Sequence, residues 1–201
     1  AVIDLCDRRM LQRSTGGAIY PSGASNYAYD SRGMLAADDK SRIGERAASL
    51  IPDNSSIMRN IGTTTEQVAR ALRRHDGIMA ITNNINVAHI LRDTPSAEVI
   101  IAGGLVRKSD GGIVGEATVD FIKQFKVDYA VIGASAIDED GTVLDYDYRE
   151  VRVAREIVGH ARHTILVADA LKFERNAPVR IAHLSDIDVL VTDRAPPDPI
   201  I

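Results

Sequence analysis

From residue 56 onward, short apolar runs alternate with amphipathic stretches. Ser56-Ile57-Met58, Ile78-Met79-Ala80-Ile81, Val99-Ile100-Ile101-Ala102, Tyr129-Ala130-Val131-Ile132, Ile165-Leu166-Val167-Ala168 and Val189-Leu190-Val191-Thr192 each read as a buried strand. Helical segments are predicted between most of them, over 68–74, 86–91, 117–125 and 150–161. Another helix is predicted over about 37–50, where Ile43, Ala47 and Leu50 recur at helical spacing until Pro52-Asp53-Asn54 ends the pattern. Strands buried on both faces and separated by helices predict an α/β domain, a parallel sheet flanked by helices. Before it, residues 1–20 are short, polar and rich in Arg, and Pro21 to Gly33 is a Ser, Gly, Asn and Tyr-rich linker. The expected organisation is therefore an N-terminal piece over 1–20, a linker over 21–36 and one domain over 37–201.

Candidate chemistry gathers where the predicted strands end. Those ends carry Gly62-Thr63-Thr64, Thr82-Asn83-Asn84, Gly103-Gly104, Gly133-Ala134-Ser135 and Asp169, all small or polar. Open α/β sheets bind ligands beyond the carboxyl ends of their strands. The run Ile61-Gly62-Thr63-Thr64-Thr65-Glu66 is the most informative. A strand that turns at Gly into a helix presents free N–H groups and a favourable dipole to an anion. The competing reading is a capping box, with Thr63 as N-cap and Glu66 reaching back. Taken alone the run favours the capping box. Several such ends on one rim favour a small polar ligand.

Composition narrows the field. With 201 residues, 45% of them hydrophobic, the chain can bury one sizeable core. A net charge of −4 gives no bulk sign of nucleic-acid binding. The single cysteine, Cys6, excludes an intramolecular disulfide and fits a reducing compartment. No apolar run approaches the roughly 18 residues of a membrane span. No secretory signal opens the chain, so a cytoplasmic protein with no membrane partner is expected. The chain opens on Ala1, which leaves open whether that is a fragment boundary. The five histidines share no metal-ligand spacing with one another or with Cys6, so neither a metal nor a cofactor is expected.

The ordered set Asn60-Ile61-Gly62-Thr63-Thr64, Thr82-Asn83-Asn84, Gly103-Gly104 with Arg107, Gly111-Gly112 through Gly115-Glu116-Ala117, and Asp169 with Lys172-Phe173 resembles the effector-sensing C-terminal domain of DeoR-type bacterial transcriptional repressors. The resemblance covers about residues 37–195. Residues 111–118 and 145–152 look like the glycerol-3-phosphate regulon subgroup of that family. The resemblance implies a fold shared with ribose-5-phosphate isomerase. It also implies a phosphorylated small-molecule effector, glycerol 3-phosphate or a related sugar phosphate, and a homo-oligomer. In the full-length protein it implies a winged helix-turn-helix that binds operator DNA. Residues 4–18 look like the tail of that unit. Asp4-Leu5 resembles the end of the recognition helix, and Arg13 with Gly16-Gly17-Ala18 resembles the wing, so Arg13 is the candidate DNA contact. The usual spacing is shortened and the helix-turn-helix itself is absent from this stretch, so the chain alone is expected to bind operator poorly. Two positions depart from the pattern. Asn60 stands where the family often has Asp, and Arg59 where it has an apolar strand residue. A buried unpaired Arg is very costly, so Arg59 is expected to pair, reach solvent or line the pocket.

The candidate effector residues are Asn60, Gly62, Thr63, Thr64, Asn83, Gly103, Gly104, Arg107, Asp147, Glu150 and Lys172. Amides and hydroxyls around Gly62, Thr63 and Thr64 would hold the phosphate, with Lys172 and Arg107 as counter-charges. Asn83 or Asn84 would meet a ligand oxygen; the alternative is that one caps the next helix. Gly103 and Gly104 would let backbone approach the ligand; a plain turn is the alternative. Asp147 and Glu150 would accept from ligand hydroxyls, or else form an acidic helix start. A rival function is a sugar-phosphate isomerase on the same fold, which needs a positioned acid and base. It is disfavoured because the loop from Gly133 to Ile137 has no carboxylate before Asp138. A third possibility is an oligomerisation module with a vestigial pocket.

Overall fold

The computed structural model describes residues 12–14, 17–19, 33–34 and 36–201. Near its start β1 (Gln12–Ser14) pairs antiparallel with β2 (Gly17–Ile19), and Arg13 stands opposite Ala18 in that hairpin. Asp4, Leu5, Cys6, Gly16 and most of the expected linker lie outside the described residues. The chain continues through α1 (Ala37–Ala48), β3 (Ser56–Arg59), α2 (Thr63–Leu72), β4 (Ile78–Thr82), α3 (Ile85–Leu91) and β5 (Ala97–Ile101). A small hairpin, β6 (Leu105–Val106) with β7 (Ile113–Val114), leads into α4 (Glu116–Ile122) and β8 (Val127–Gly133). Then follow β9 (Ala136–Ile137), β10 (Thr142–Asp145), α5 (Tyr148–Gly159), β11 (Ala161–Val167), β12 (Val179–His183) and β13 (Val189–Val191). Two 3-10 turns, Ala170–Glu174 and Leu184–Asp186, flank β12.

Alternation along β3 builds two apolar layers. Ile57 faces one side of the sheet and Met58 the other. Ile43 and Ala47 of α1, Val68 and Leu72 of α2, and Val87 and Leu91 of α3 share a core with Ile57, Ala80, Val131 and Ile165. Val119 and Ile122 of α4 and Val151, Ala154 and Ile157 of α5 pack with Met58, Ile81, Ile132 and Leu166. The helices on the first face approach closely because α1 carries Gly44, where a Cβ would lie 2.7 Å from the carbonyl carbon of Gln67 in α2.

The six-stranded sheet has the order β13-β11-β8-β3-β4-β5, with every ladder parallel. Its central strands are buried on both faces, as the sequence predicts. Strand β5 is not: it is an edge, and Ile101 is 43% exposed. A second, antiparallel sheet of order β12-β10-β9 has no counterpart in the sequence reading. From β3 the chain steps outward to β4 and β5, then returns to β8 on the other side of β3. Strand order therefore reverses between β3 and β8, which is where open α/β sheets leave a crevice.

Candidate functional site

The turn after β3 differs from a capping box. Gly62 is the N-cap of α2, with φ of +156°, and no side chain caps the helix. Thr65 Oγ1 donates to Gly62 O at 2.8 Å and lies 3.2 Å from Asn60 O. Glu66 turns toward α3, where its Oε1 accepts from Asn84 Nδ2 at 3.3 Å and Asn86 Nδ2 at 3.1 Å. Neither Thr63 nor Glu66 plays the capping role, and the capping-box reading is corrected. The first backbone bond of the turn runs from Glu66 N to Gly62 O, so the amides just before it have no intrahelical acceptor. An oxyanion suits such a group of donors.

These amides open onto a narrow recess at the β3/β8 reversal. Its walls are Ile61, Gly62, Thr63 and Thr64 after β3, and Gly133, Ala134 and Ser135 after β8. Asp145 at the end of β10, Glu150 in α5 and Lys172 in the first 3-10 turn complete it. It is tight, with a cavity volume of about 20 Å³. A shallower depression over Tyr146, Asp147, Tyr148 and Arg149 lies nearby in sequence.

Five of the expected residues line the recess: Gly62, Thr63, Thr64, Glu150 and Lys172. Asn60 is bound to its wall. The Asn60 Oδ1 accepts from Gly133 N at 3.0 Å, while its Nδ2 is buried without a partner. Asn83 donates from Nδ2 to Ile113 O at 2.9 Å and leaves Oδ1 buried and unpartnered. Asn84 caps α3, accepting from Asn86 N at 2.9 Å. Gly103 and Gly104 serve packing around Thr118, whose Oγ1 donates to Gly103 O at 2.9 Å. A Cβ on Gly104 would strike that same hydroxyl.

Arg107 is held by carboxylates. Its guanidinium pairs with Asp110, donates from Nη1 to Asp147 Oδ2 at 3.1 Å and from Nη2 to Glu150 Oε2 at 2.7 Å. Burial works against its charge, but bonds and attraction to Asp110 and Glu150 more than offset that and raise its pKa. Asp147 caps α5, accepting from Arg149 N at 2.9 Å, and the Arg149 and Arg107 side chains hold it well below the usual carboxylate range. Burial pushes Glu150 up to about 8, Asp145 adding to the effect and Arg107 opposing it.

Ile61, Gly133, Ala134, Ser135 and Asp145 are lining residues absent from the sequence-derived set. Asp145 is fixed by Ser135 Oγ, which donates to its Oδ1 at 3.0 Å, and by Tyr146 N at 2.6 Å. The signal for Gly133-Ala134-Ser135 was its place at a strand end. Asp145 escaped because it ends a strand of the second sheet. The ground for disfavouring an isomerase needs the same correction: carboxylates enter the recess from β10 and α5, not from the loop after β8. Arg59 meets none of its three expectations. It is wholly buried, does not line the recess, and its Nε, Nη1 and Nη2 have no hydrogen-bond partner.

A parallel sheet covered by helices, with a polar recess at its topological switch point, defines an open α/β domain. The chain belongs to the DeoR family: the model of the DeoR C-terminal sensor domain matches residues 35–194. It is 47% identical over 192 residues to the glycerol-3-phosphate regulon repressor of Haemophilus influenzae, covering 96% of this chain and 75% of that one. The repressor of the same name from Escherichia coli is 43% identical over 194 residues, with 96% and 77% covered. The transcriptional repressor CsqR of Escherichia coli is 38% identical over 193 residues, with 96% and 74% covered. Among solved structures, eIF2B delta from Chaetomium thermophilum aligns with a TM-score of 0.59 at 14% identity, over 79% of this chain and 57% of that one. Ribose 5-phosphate isomerase A from Methanocaldococcus jannaschii aligns with a TM-score of 0.51 at 14% identity, over 69% and 55%. The chain thus spans only a little over half of each solved chain, and these likenesses concern the fold. No helix among the described residues is long and apolar enough to cross a membrane.

Proposed function

We propose that this chain is the sensor portion of a cytoplasmic, DNA-binding transcriptional repressor controlled by a phosphorylated small molecule, glycerol 3-phosphate or a close sugar phosphate. The observation that carries this reading is the uncapped N-terminus of α2 opening onto a recess that also contains Lys172. Amides of Gly62, Thr63 and Thr64 would take the phosphate oxygens, with Lys172 as a point charge beside them. Asp145 and Glu150 would meet the hydroxyls of the rest of the ligand. The names of the relatives, repressors of the glycerol-3-phosphate regulon, support the same effector class. The effector would favour one arrangement of a homo-oligomer over another through differential affinity, and so change how the DNA-binding heads are presented. The N-terminal hairpin, with Arg13 in its first strand, would be the remnant of a wing.

Calorimetric titration with glycerol 3-phosphate tests the reading. Saturable heat is expected, and it should be lost in Lys172→Ala and absent with glycerol. No heat at millimolar ligand would sink it. The carboxylates in the recess keep one second reading alive, proton transfer on a sugar phosphate by Glu150 and Asp145. Turnover in a coupled ribose 5-phosphate isomerisation assay, abolished by Glu150→Gln, would decide for that enzyme instead.

A further inference from the structure

The recess is poorly matched in formal charge to a phosphate ester. Its lining carries one ammonium, Lys172, against Asp145 and a Glu150 that burial keeps largely protonated at neutral pH. Two nearby cations are already engaged: Arg107 by Asp110, Asp147 and Glu150, and Arg149 by Asp147. A phosphate monoester brings nearly two further negative charges at neutral pH. Helix amides contribute only about half a unit of positive charge.

One group in the molecule has the opposite defect. Arg59 ends β3, just before the turn to Gly62, and is a buried cation with no hydrogen-bond partner on any guanidinium nitrogen. No ion pair with a carboxylate accompanies it among the described residues, and burial lowers its pKa to about 9. Alternation along β3 places it on the Ile57 face, the face that α2 covers with Val68, Ala69 and Leu72. The strand that carries Arg59 leads into the turn forming one wall of the recess. The next residue, Asn60, has a second unpartnered buried atom, Nδ2, and its Oδ1 is bound to Gly133 in the recess wall.

We infer that Arg59 is the standing counter-charge of the recess, and that its complement is the dianionic phosphate of an ester bound at Gly62, Thr63 and Thr64. This rests on the phosphate reading given above. Arg59 acts through the field in the protein interior and not by touching the ligand. A charge in that interior is weakly screened, so its influence extends well beyond contact distance. The empty domain bears an uncompensated cation, and anion binding compensates it. Arg59 is thus a positioning residue for charge, and its removal should have two opposite effects.

The test titrates glycerol 3-phosphate into this chain, Arg59→Met and Arg59→Lys, with melting temperatures of the ligand-free proteins. Arg59→Met is expected to melt higher than the parent when empty, yet bind the ester at least tenfold more weakly. Arg59→Lys, whose ammonium loses its proton more readily when buried, should bind between Arg59→Met and the parent. Equal affinity of Arg59→Met and parent would overturn the inference whatever the melting temperatures show, because a merely structural arginine moves only the latter. If the parent itself binds no phosphate ester, the phosphate reading falls and this inference with it. Binding by the parent but not by Arg59→Met leaves both standing.

Discussion

Glu150 shows how one side chain ties the recess to the rest of the domain. Its Oε2 accepts from Arg107, which also holds Asp110 and Asp147, so the β6–β7 hairpin and the start of α5 are joined through it. Burial and the neighbouring Asp145 raise its pKa to about 8, from an ordinary value near 4.5. A carboxyl raised in the folded state binds its proton more tightly there than in the unfolded chain. Its contribution to stability is therefore greatest below about pH 4.5 and is lost as pH rises toward 8. The parent should become less stable across that window, by on the order of a few kcal/mol. Glu150→Gln stays neutral throughout and should lack this slope. Chemical denaturation of both proteins at pH 5, 6.5 and 8 measures the difference; parallel curves would show that the Arg107 pair keeps Glu150 ionised. Part of this was legible in the sequence. Glu150 and Asp147 stand at a helix start, and Asp147 does cap it. The link to Arg107 spans 43 residues of sequence, so no local pattern encodes it.

The elements themselves were more legible than their side-chain roles. Short apolar runs located the six strands of the main sheet, because tertiary burial and local pattern agree there. The second sheet was missed for a physical reason: β9 is two residues long, and β10 and β12 interleave polar residues, so none forms an unbroken apolar run. The 3-10 turn carrying Lys172 has no helical apolar stripe, so its burial could not be read from pattern. Among the helices, the α1–α2 contact offers the sharpest test of packing. Gly44 sits inside α1, where Gly is disfavoured by about 1 kcal/mol relative to Ala. Its presence is explained by the backbone of Gln67, 2.7 Å from where a Cβ would stand. That neighbour is backbone and cannot swing aside, so Gly44→Ala must push the helices apart. Overpacking of this kind destabilises by about 1–3 kcal/mol. After the gain in helix propensity, a net loss of up to about 2 kcal/mol is expected in urea denaturation. A more stable Gly44→Ala variant would mean that the two helices do not meet as closely as described.

At the scale of the whole molecule, ligand binding, stability and assembly are parts of one equilibrium. Main-chain amides of α2, Lys172 from beyond β11, and Asp145 and Glu150 from the α5 side come together only in the folded domain. A ligand that needs all of them binds the folded state alone and stabilises it by RT ln(1 + [L]/Kd), about 2.7 kcal/mol at a hundredfold excess over Kd. For a chain of about 200 residues this corresponds to a rise of roughly 5–10 °C in melting temperature. Glycerol 3-phosphate should give that rise, while glycerol and inorganic phosphate added together should give much less, since neither alone engages both sides of the recess. Lys172→Ala should flatten the response to the ester. If the ligand also biases an oligomer, the melting temperature must depend on protein concentration, and that dependence must change when ligand is present. Melting curves over a hundredfold range of protein concentration, with and without the ester, separate the two effects. A ligand shift that is identical at every concentration would show a domain that binds its effector without coupling that event to assembly. The signal to DNA would then have to pass within a single chain.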